Sequence, residues 1–247
     1  MNVWTVLLLT ALAAAGAPID ARAPAAQTAF PQRWIDGTDP TEPPVQVHRF
    51  DPDLFILRQS IRTQAEGPFM YLLFGTERAL LLDTGAGNIA LGPVVDGVMQ
   101  RWLQERGRAS IPLVVAHSHA HGDHWAGDGQ FQDRPGIVVV KRTPEDVQKF
   151  FQITSWPDQV VPFDLGGRIV DVIPAPGHER SHVILFDRRT RLLLTGDTLY
   201  PGRLYVPVAD FDAYRRTIDR VVQFTKALNV SWVLGAHIEM TQSPGRD

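Results

Sequence analysis

Four histidines within eight residues constrain this chain more than any other feature of its sequence. They lie in the segment from His117 to His124, which reads HSHAHGDH, and an apolar run from Ile111 to Ala116 leads into it. The apolar run predicts a buried strand that ends where the histidines begin. Strand formation requires no imidazoles, whereas imidazole is the commonest metal ligand in proteins. The segment therefore predicts a metal site; an exposed loop that is merely rich in histidine is the alternative.

The composition restricts the class of protein. The 247 residues are 44% hydrophobic and 21% charged, which is typical of a globular protein with one large domain or two small ones. The formal net charge of -3 gives no indication of nucleic-acid binding or of a polybasic membrane surface. The chain has no cysteine, so thiol nucleophiles, disulfides and thiolate ligands are excluded, and a metal must be bound by nitrogen and oxygen.

The N-terminus predicts export. Residues 1–15 are mostly apolar, too few to span a bilayer, and small residues with A-x-A sites follow them. We expect residues 1–25 to be a signal peptide that is cut after Ala25, and the mature protein to be periplasmic or secreted without a membrane segment. A retained membrane anchor is the alternative, because no Lys or Arg precedes the apolar run. Residues 26–45, rich in Pro, Ala and Thr, predict an extended arm.

A weak internal repeat indicates the architecture of residues 46–247. Residues 71–85 and 183–197 each consist of two apolar runs around a turn, and each copy ends with Asp beside Thr and Gly. After each copy the apolar residues are spaced as in a helix, at 93–106 and at 211–228, and a further strand is predicted after each helix. The pattern predicts an α/β fold of two similar halves that pack as a four-layer αββα sandwich, with the functional loops at one edge of the sheets.

Three more polar residues follow predicted apolar strands. His178, Asp197 and His237 each come directly after such a strand and close to a glycine. One such residue alone is more often structural. Three of them, together with the histidine segment, favour one shared site.

The spacing His119-x-His121-x-Asp123-His124, with Asp83, His178, Asp197 and His237 at their places in the chain, resembles the metallo-β-lactamase-fold hydrolase superfamily. The resemblance extends from about Gln46 to His237. It implies a two-metal site in which one ion is bound by His119, His121 and His178, the other by Asp123, His124 and His237, and both by Asp197. Zinc is the expected metal, and iron or manganese also fits such ligands. Asp83 is implied to fix the histidine segment by hydrogen bonds.

Metal ions of this kind lower the pKa of a bound water to about 7, so that hydroxide attacks an electrophilic carbonyl at neutral pH. Asp123 lies among the ligands and is expected to orient this nucleophile or take its proton. Tyr200 is expected to polarise the substrate carbonyl, as a tyrosine near this place does in the family's lactonases; ordinary packing is the alternative. His182 is expected to support the ligands from outside, and His117 to be structural.

We therefore expect a hydrolase that acts on the ester, lactone or thioester carbonyl of a small molecule. The absence of cysteine excludes the β-lactamase branch that uses a Cys ligand, and Asp197 at the bridging position counts against β-lactams. The 50 residues after Asp197 lead us to expect no helical substrate domain of the glyoxalase II type. A β-lactamase-like amide hydrolase and a phosphodiesterase remain enzymatic alternatives, and a metal-binding or redox module is the non-enzymatic one. The oligomeric state stays open.

Overall fold

The structure, a computed structural model, describes residues 30–238. The predicted signal peptide, residues 1–25, lies outside the described residues, as do residues 26–29 of the predicted arm. None of the helices within residues 30–238 has the length and apolarity that crossing a bilayer requires.

Two mixed sheets form the centre of the molecule. The first sheet has the spatial order of the chain itself, β1 (Val45–Asp51), β2 (Leu54–Gln59), β3 (Phe69–Phe74), β4 (Ala79–Leu82), β5 (Leu113–Ala116) and β6 (Ile137–Val139). The second sheet has the order β11-β10-β9-β8-β7, with bounds β7 (Val161–Asp164), β8 (Ile169–Pro174), β9 (Val183–Asp187), β10 (Leu192–Gly196) and β11 (Trp232–Gly235).

The predicted repeat is visible in the strand pairing. The hairpin of β3 and β4 is antiparallel, and β5 then pairs with β4 in parallel. In the second half the hairpin of β9 and β10 is antiparallel, and β11 pairs with β10 in parallel. A helix connects the hairpin to the parallel strand in each half, as parallel pairing requires. These two crossover helices are α1 (Leu91–Glu105) and α4 (Phe211–Thr225), and the shorter helices are α2 (Gly122–Trp125) and α3 (Pro144–Phe151).

Three apolar clusters confirm the predicted four layers. The largest fills the space between the sheets, where Leu54 and Leu80 face Val172 and Leu185. A second cluster joins the outer face of the first sheet to α1, and a third joins the outer face of the second sheet to α4. Because each sheet is covered on both faces, its central strands are almost continuously apolar.

Local signals explain most of the element ends. Thr143 caps α3 by accepting a hydrogen bond from the Asp146 N–H, with Pro144 in the first turn. Gly107 follows α1 with φ of +61°, a conformation that glycine adopts without strain.

Two details of the prediction were wrong. The helix predicted to reach Leu228 ends at Thr225, and Leu228 packs against the second sheet from the following turn. Val45, assigned to the arm, is the first residue of β1 and pairs with Gln59.

Candidate metal centre

The site lies where strands of both sheets end. Because β4 and β5 are parallel, Asp83 and the histidine segment come together at one edge of the first sheet. In the second sheet β8, β10 and β11 run in one direction, so that His178, Asp197 and His237 follow their ends at the same edge. A hydrogen bond from the Val183 N–H to the Ser118 carbonyl joins the two edges directly.

Asp83 shapes the histidine segment. Its backbone is left-handed, with φ of +68°, a conformation in which Asp is more common than most residues. One carboxylate oxygen accepts the Ser118 N–H at 2.6 Å, and the other accepts the Ser118 hydroxyl at 2.9 Å. The second oxygen also lies 2.9 Å from Nδ1 of His124. The carboxylate therefore fixes the chain before the ligand-type residues and the ring of one of them, as expected for Asp83.

Three histidines form a first group of possible ligands. Nδ1 of His121 lies 3.0 Å from Nε2 of His119 and 3.0 Å from Nε2 of His178. His119 and His178 are buried, whereas His121 is exposed at the start of α2. Three imidazole nitrogens at such distances converge on one point, which is the arrangement a metal ion requires.

A second group combines carboxylates with imidazoles. Oδ2 of Asp123 lies 3.2 Å from Nε2 of His124 and 3.2 Å from Nε2 of His237. Oδ1 of Asp197 lies 3.5 Å from the same nitrogen of His124 and 3.3 Å from that of His237. These four side chains could hold a second ion.

Asp197 lies between the two groups. While its Oδ1 faces His124 and His237, its Oδ2 is 3.4 Å from Nε2 of His178 and 4.0 Å from Nε2 of His119. One carboxylate thus presents an oxygen to each group. The structure brings together all seven side chains that the sequence predicted as ligands, in the two predicted sets.

Four of the five rings are held by contacts on the nitrogen that faces away from the centre. Nδ1 of His178 lies 2.6 Å from the Tyr205 carbonyl oxygen, and Nδ1 of His237 lies 3.0 Å from that of Glu66. Nδ1 of His119 lies 3.1 Å from the Ser118 hydroxyl, and His124 contacts Asp83 as described. Such outer hydrogen bonds fix ring orientation and leave the inner nitrogen free to bind a metal.

The surroundings of His119 and His178 in the first group favour their neutral rings. Burial lowers the pKa of His119 well below its ordinary value, and the neighbouring histidines act in the same direction. Burial also lowers the pKa of His178, although Asp197 opposes it. Neutral imidazole is the form that binds metals, so this group is prepared for a cation.

In the second group the two carboxylates stabilise positive charge on the neighbouring rings. Burial opposes protonation of His124 and His237, but carboxylates outweigh it, raising the pKa of His237 to about 9 and that of His124 well above the ordinary value. Conversely, burial would raise the pKa of Asp123 and Asp197, but contacts with His124 and His237 lower both. Without a metal, protons on the rings balance the carboxylates; a cation would replace those protons.

Two buried atoms fit the presence of a metal. Nε2 of His124 and Oδ1 of Asp197 are among the few buried side-chain polar atoms of residues 30–238 that make no hydrogen bond. Leaving such atoms without a partner is costly in a protein interior. The two face each other across 3.5 Å, within the second group, where a shared cation would satisfy both.

His182 supports the bridging position. Its ring is fully buried and stacks on that of His119 with centroids 4.9 Å apart, and its Nε2 accepts the Asp197 N–H at 3.1 Å. Burial lowers the pKa of His182 to about 3, so the ring remains a neutral acceptor. Gly196 has φ of +50°, and a Cβ there would lie 2.8 Å from the same nitrogen. The contact therefore needs glycine before Asp197.

Tyr200 lies at the border of the site. Its ring centroid is 5.6 Å from that of His237, and its hydroxyl donates to the Arg203 carbonyl at 2.5 Å. The hydroxyl has one proton to donate, and Arg203 receives it in this conformation. Tyr200 could polarise a substrate carbonyl only after its hydrogen bond to the Arg203 carbonyl breaks. This role of Tyr200 stays a prediction.

Sequence reasoning missed several supporting groups. Ser118 contacts Asp83, His119 and His124 through one hydroxyl, and its place inside the histidine segment was the signal that could have identified it. Asp128 lies 2.8 Å from His117 and accepts a bond from Arg142, whose guanidinium stacks over Trp125. His117 thus belongs to neither ligand group, consistent with the structural role expected of it.

Comparisons with known proteins agree with this geometry. Residues 64–237 match the family model described as the metallo-beta-lactamase superfamily. The human acyl-coenzyme A thioesterase MBLAC2 is 25% identical over 201 residues, which cover 68% of this chain and 72% of that protein. The hydroxyacylglutathione hydrolase of Rhizobium meliloti (strain 1021) is 33% identical over 123 residues, 48% of this chain and 44% of that protein.

Among solved structures, a metallo-beta-lactamase from Pontibacter korlensis superposes with a TM-score of 0.58 at 20% identity, covering 79% of this chain and 92% of that one. This likeness concerns the fold, two sheets flanked by helices. The family match covers most of the chain, so the protein belongs to the metallo-β-lactamase superfamily of hydrolases.

Proposed function

We propose that this hydrolase cleaves thioesters and related carboxylic esters or lactones of small molecules with a pair of divalent metal ions, zinc by default. His119, His121 and His178 would hold one ion and Asp123, His124 and His237 the other, with Asp197 shared. The observation that carries the proposal is the position of the Asp197 carboxylate, which presents one oxygen to each group of imidazoles.

The metal pair would supply a water of lowered pKa and a positive charge opposite the developing oxyanion. The chain's own part is orientation and proton transfer. Asp123 is partly exposed at the edge of the second group and is the carboxylate best placed to accept the proton of the attacking water. Attack forms the carbon–oxygen bond, cleavage breaks the carbon–sulfur or carbon–oxygen bond, and the leaving thiolate or alkoxide takes up the proton.

The names of two relatives favour thioesters within this range. These relatives, from different branches of life, carry the names acyl-coenzyme A thioesterase and hydroxyacylglutathione hydrolase, and both names denote thioester cleavage. The bridging position of Asp197 and the absence of cysteine count against β-lactams. Hydrolysis of β-lactam amides and hydrolysis of phosphodiesters are the two alternatives, and both are tested together with thioester hydrolysis.

The test is a substrate panel on the zinc-loaded protein. We expect turnover of an acyl thioester and of an aryl ester, little turnover of a chromogenic β-lactam or of bis(p-nitrophenyl) phosphate, and loss of activity on chelation. His121→Ala should abolish turnover, and added zinc should restore only the chelated wild type. Activity that survives chelation, or preference for the β-lactam or the phosphodiester, would contradict the proposal. Metal binding without turnover of any substrate would favour a metal-binding or redox module.

We also propose that the protein is exported. The apolar residues near the N-terminus and the A-x-A sites up to Ala25 support this. N-terminal sequencing of protein secreted or released from the periplasm should begin at Ala26, and a cytoplasmic protein that retains Met1 would contradict export.

A further inference from the structure

A cavity of about 90 Å³ lies beside the candidate metal centre, with His237 in its wall. It lies at the site end of the space between the two sheets. Ile56, Phe69 and Tyr71 of the first sheet line one side, and Leu234 of the second sheet lines another. His237 is therefore shared by the second ligand group and the wall of an apolar space.

The N-terminal arm completes this cavity. Phe30 and Trp34 form part of its wall. The Trp34 ring packs edge-on against Phe69, with centroids 4.9 Å apart, and Phe30 packs edge-on against Trp232 at 5.0 Å. The arm thus contributes two aromatic rings to the wall of the cavity.

The cavity offers almost nothing to a polar group. The Tyr71 hydroxyl donates to the Gly235 carbonyl at 2.6 Å, so its proton is already used. Nδ1 of His237 contacts the Glu66 carbonyl oxygen, and its Nε2 faces Asp123 and Asp197. Within the described part of the chain no Asp, Glu, Lys or Arg side chain lines the cavity. Its surface chemistry fits hydrocarbon.

We propose that this cavity binds the apolar acyl group of the substrate. The inference rests on the proposed function: His237 belongs both to the second ligand group and to the cavity wall, so the reacting carbonyl and its acyl group would lie beside the same ring. A water-sized group needs about 10–15 Å³, so the cavity holds roughly six to nine such groups. It therefore suits a medium-length alkyl or a small aryl acyl group rather than an acetyl group.

The expected selectivity follows from burial of methylene groups. Each methylene removed from water contributes about 0.8 kcal/mol, which is about fourfold in kcat/KM or in a binding constant. Four methylenes, the difference between acetyl and hexanoyl, give roughly two-hundredfold when all are buried. The gain should stop once the chain has filled the cavity.

The experiment measures chain-length preference in two ways with the zinc-loaded full chain. The first is kcat/KM for acetyl and hexanoyl thioesters of one thiol, and the second is the affinity for acetate and hexanoate by calorimetry, which needs no turnover. Leu234→Trp fills the cavity and Trp34→Ala removes part of its wall. We expect both variants to lose at least tenfold of the hexanoyl-to-acetyl ratio. Val222→Ala is the control, because Val222 is a half-exposed apolar residue of α4 that does not line the cavity, and its ratio should equal that of the wild type.

The outcomes separate this inference from the proposed function. Absence of thioester turnover together with tighter binding of hexanoate, lost in Leu234→Trp, would contradict the proposed reaction and support the cavity as an acyl site. Turnover without chain-length preference, or variants whose ratio matches the control, would overturn the acyl site and leave the reaction standing. Leu234→Trp reduces the volume of the cavity and Trp34→Ala increases it. If one variant fails to fold, the other still tests the acyl site.

Discussion

The Asp83 carboxylate holds both the backbone before the ligand-type histidines and the His124 ring. Loss of an outer hydrogen bond of this kind typically costs 10–100-fold in metal affinity. We predict that Asp83→Ala lowers zinc affinity by about that factor, because His124 loses the contact that orients it. Competition with a chromogenic chelator measures it. Asp96→Ala, which breaks only a surface pair with Arg134, is the control; equal affinity in both variants would contradict the role of Asp83.

Tyr200 carries an expected catalytic role that the geometry leaves open. If its hydroxyl polarises the substrate carbonyl, Tyr200→Phe removes an oxyanion donor and should lower kcat about 10²-fold, with zinc content unchanged. Steady-state kinetics with metal analysis tests this. Tyr205→Phe, which keeps the backbone carbonyl on His178, should behave as the wild type. An unchanged kcat in Tyr200→Phe would assign the hydroxyl to the loop contact with Arg203 alone.

The site residues differ in how far the sequence could predict them. The strand ends predicted where the ligand-type side chains gather, because strands running in one direction end at one edge. The resemblance to the metallo-β-lactamase superfamily implied which seven of them bind metal. Glu66 and Tyr205 could not, because they act through backbone carbonyls, which any residue possesses. Asp128 stayed hidden because its partner His117 and its partner Arg142 meet it only in the folded chain.

Among the strands and sheets, a buried ion pair ties the two halves together at the end away from the histidines. Arg168, directly before β8, forms two hydrogen bonds with Asp187 of β9. It also donates to the carbonyls of Asp53, in the turn between β1 and β2, and of Phe74 at the end of β3. Both side chains are almost fully buried. Removing one partner of such a pair leaves a buried charge, which costs about 3–5 kcal/mol.

We therefore predict that Arg168→Ala lowers the free energy of unfolding by about 3–5 kcal/mol. Glu105→Ala is the control, because its pair with Arg49 is half-exposed on both sides and should contribute about 0.2–1 kcal/mol. Urea unfolding of both variants measures the difference. Equal losses would show that the Arg168 pair does not join the sheets.

The elements themselves show what sequence patterns can and cannot give. The repeat predicted two similar halves because hydrophobic periodicity determines which faces must be buried. The pattern predicted a turn over Asp187-Arg188-Arg189-Thr190, and turns are usually exposed, so nothing indicated that Asp187 would be buried against Arg168. The pairing depends on how the two sheets stack, which a local pattern does not contain.

For the molecule as a whole, the stability of the metal-free form should depend on pH in two directions. Burial lowers the pKa of His182 to about 3, so only the unfolded chain takes up a proton there between pH 6.5 and 3, and stability falls as the pH drops through that range. Burial opposes protonation of His237, but Asp123 and Asp197 raise its pKa to about 9. Its contribution is therefore full below pH 6.5 and is lost as the pH rises through 9.

We predict that the metal-free protein is most stable near pH 6.5 and that zinc removes the decline towards pH 9, because a bound ion replaces the proton on His237. Urea unfolding at pH 4, 6.5 and 9, with and without zinc, gives the comparison. A decline towards pH 9 that zinc leaves unaltered would argue against an ion beside His237.

The most direct test of the account is the number of zinc ions bound per chain, measured by equilibrium dialysis and elemental analysis of the wild type and of Asp197→Asn. If seven side chains form two ion sites joined by one carboxylate, the wild type binds two ions at neutral pH and the variant binds one or fewer. A wild type that binds one ion or none, or a variant that still binds two with unchanged affinity, would contradict the paired centre.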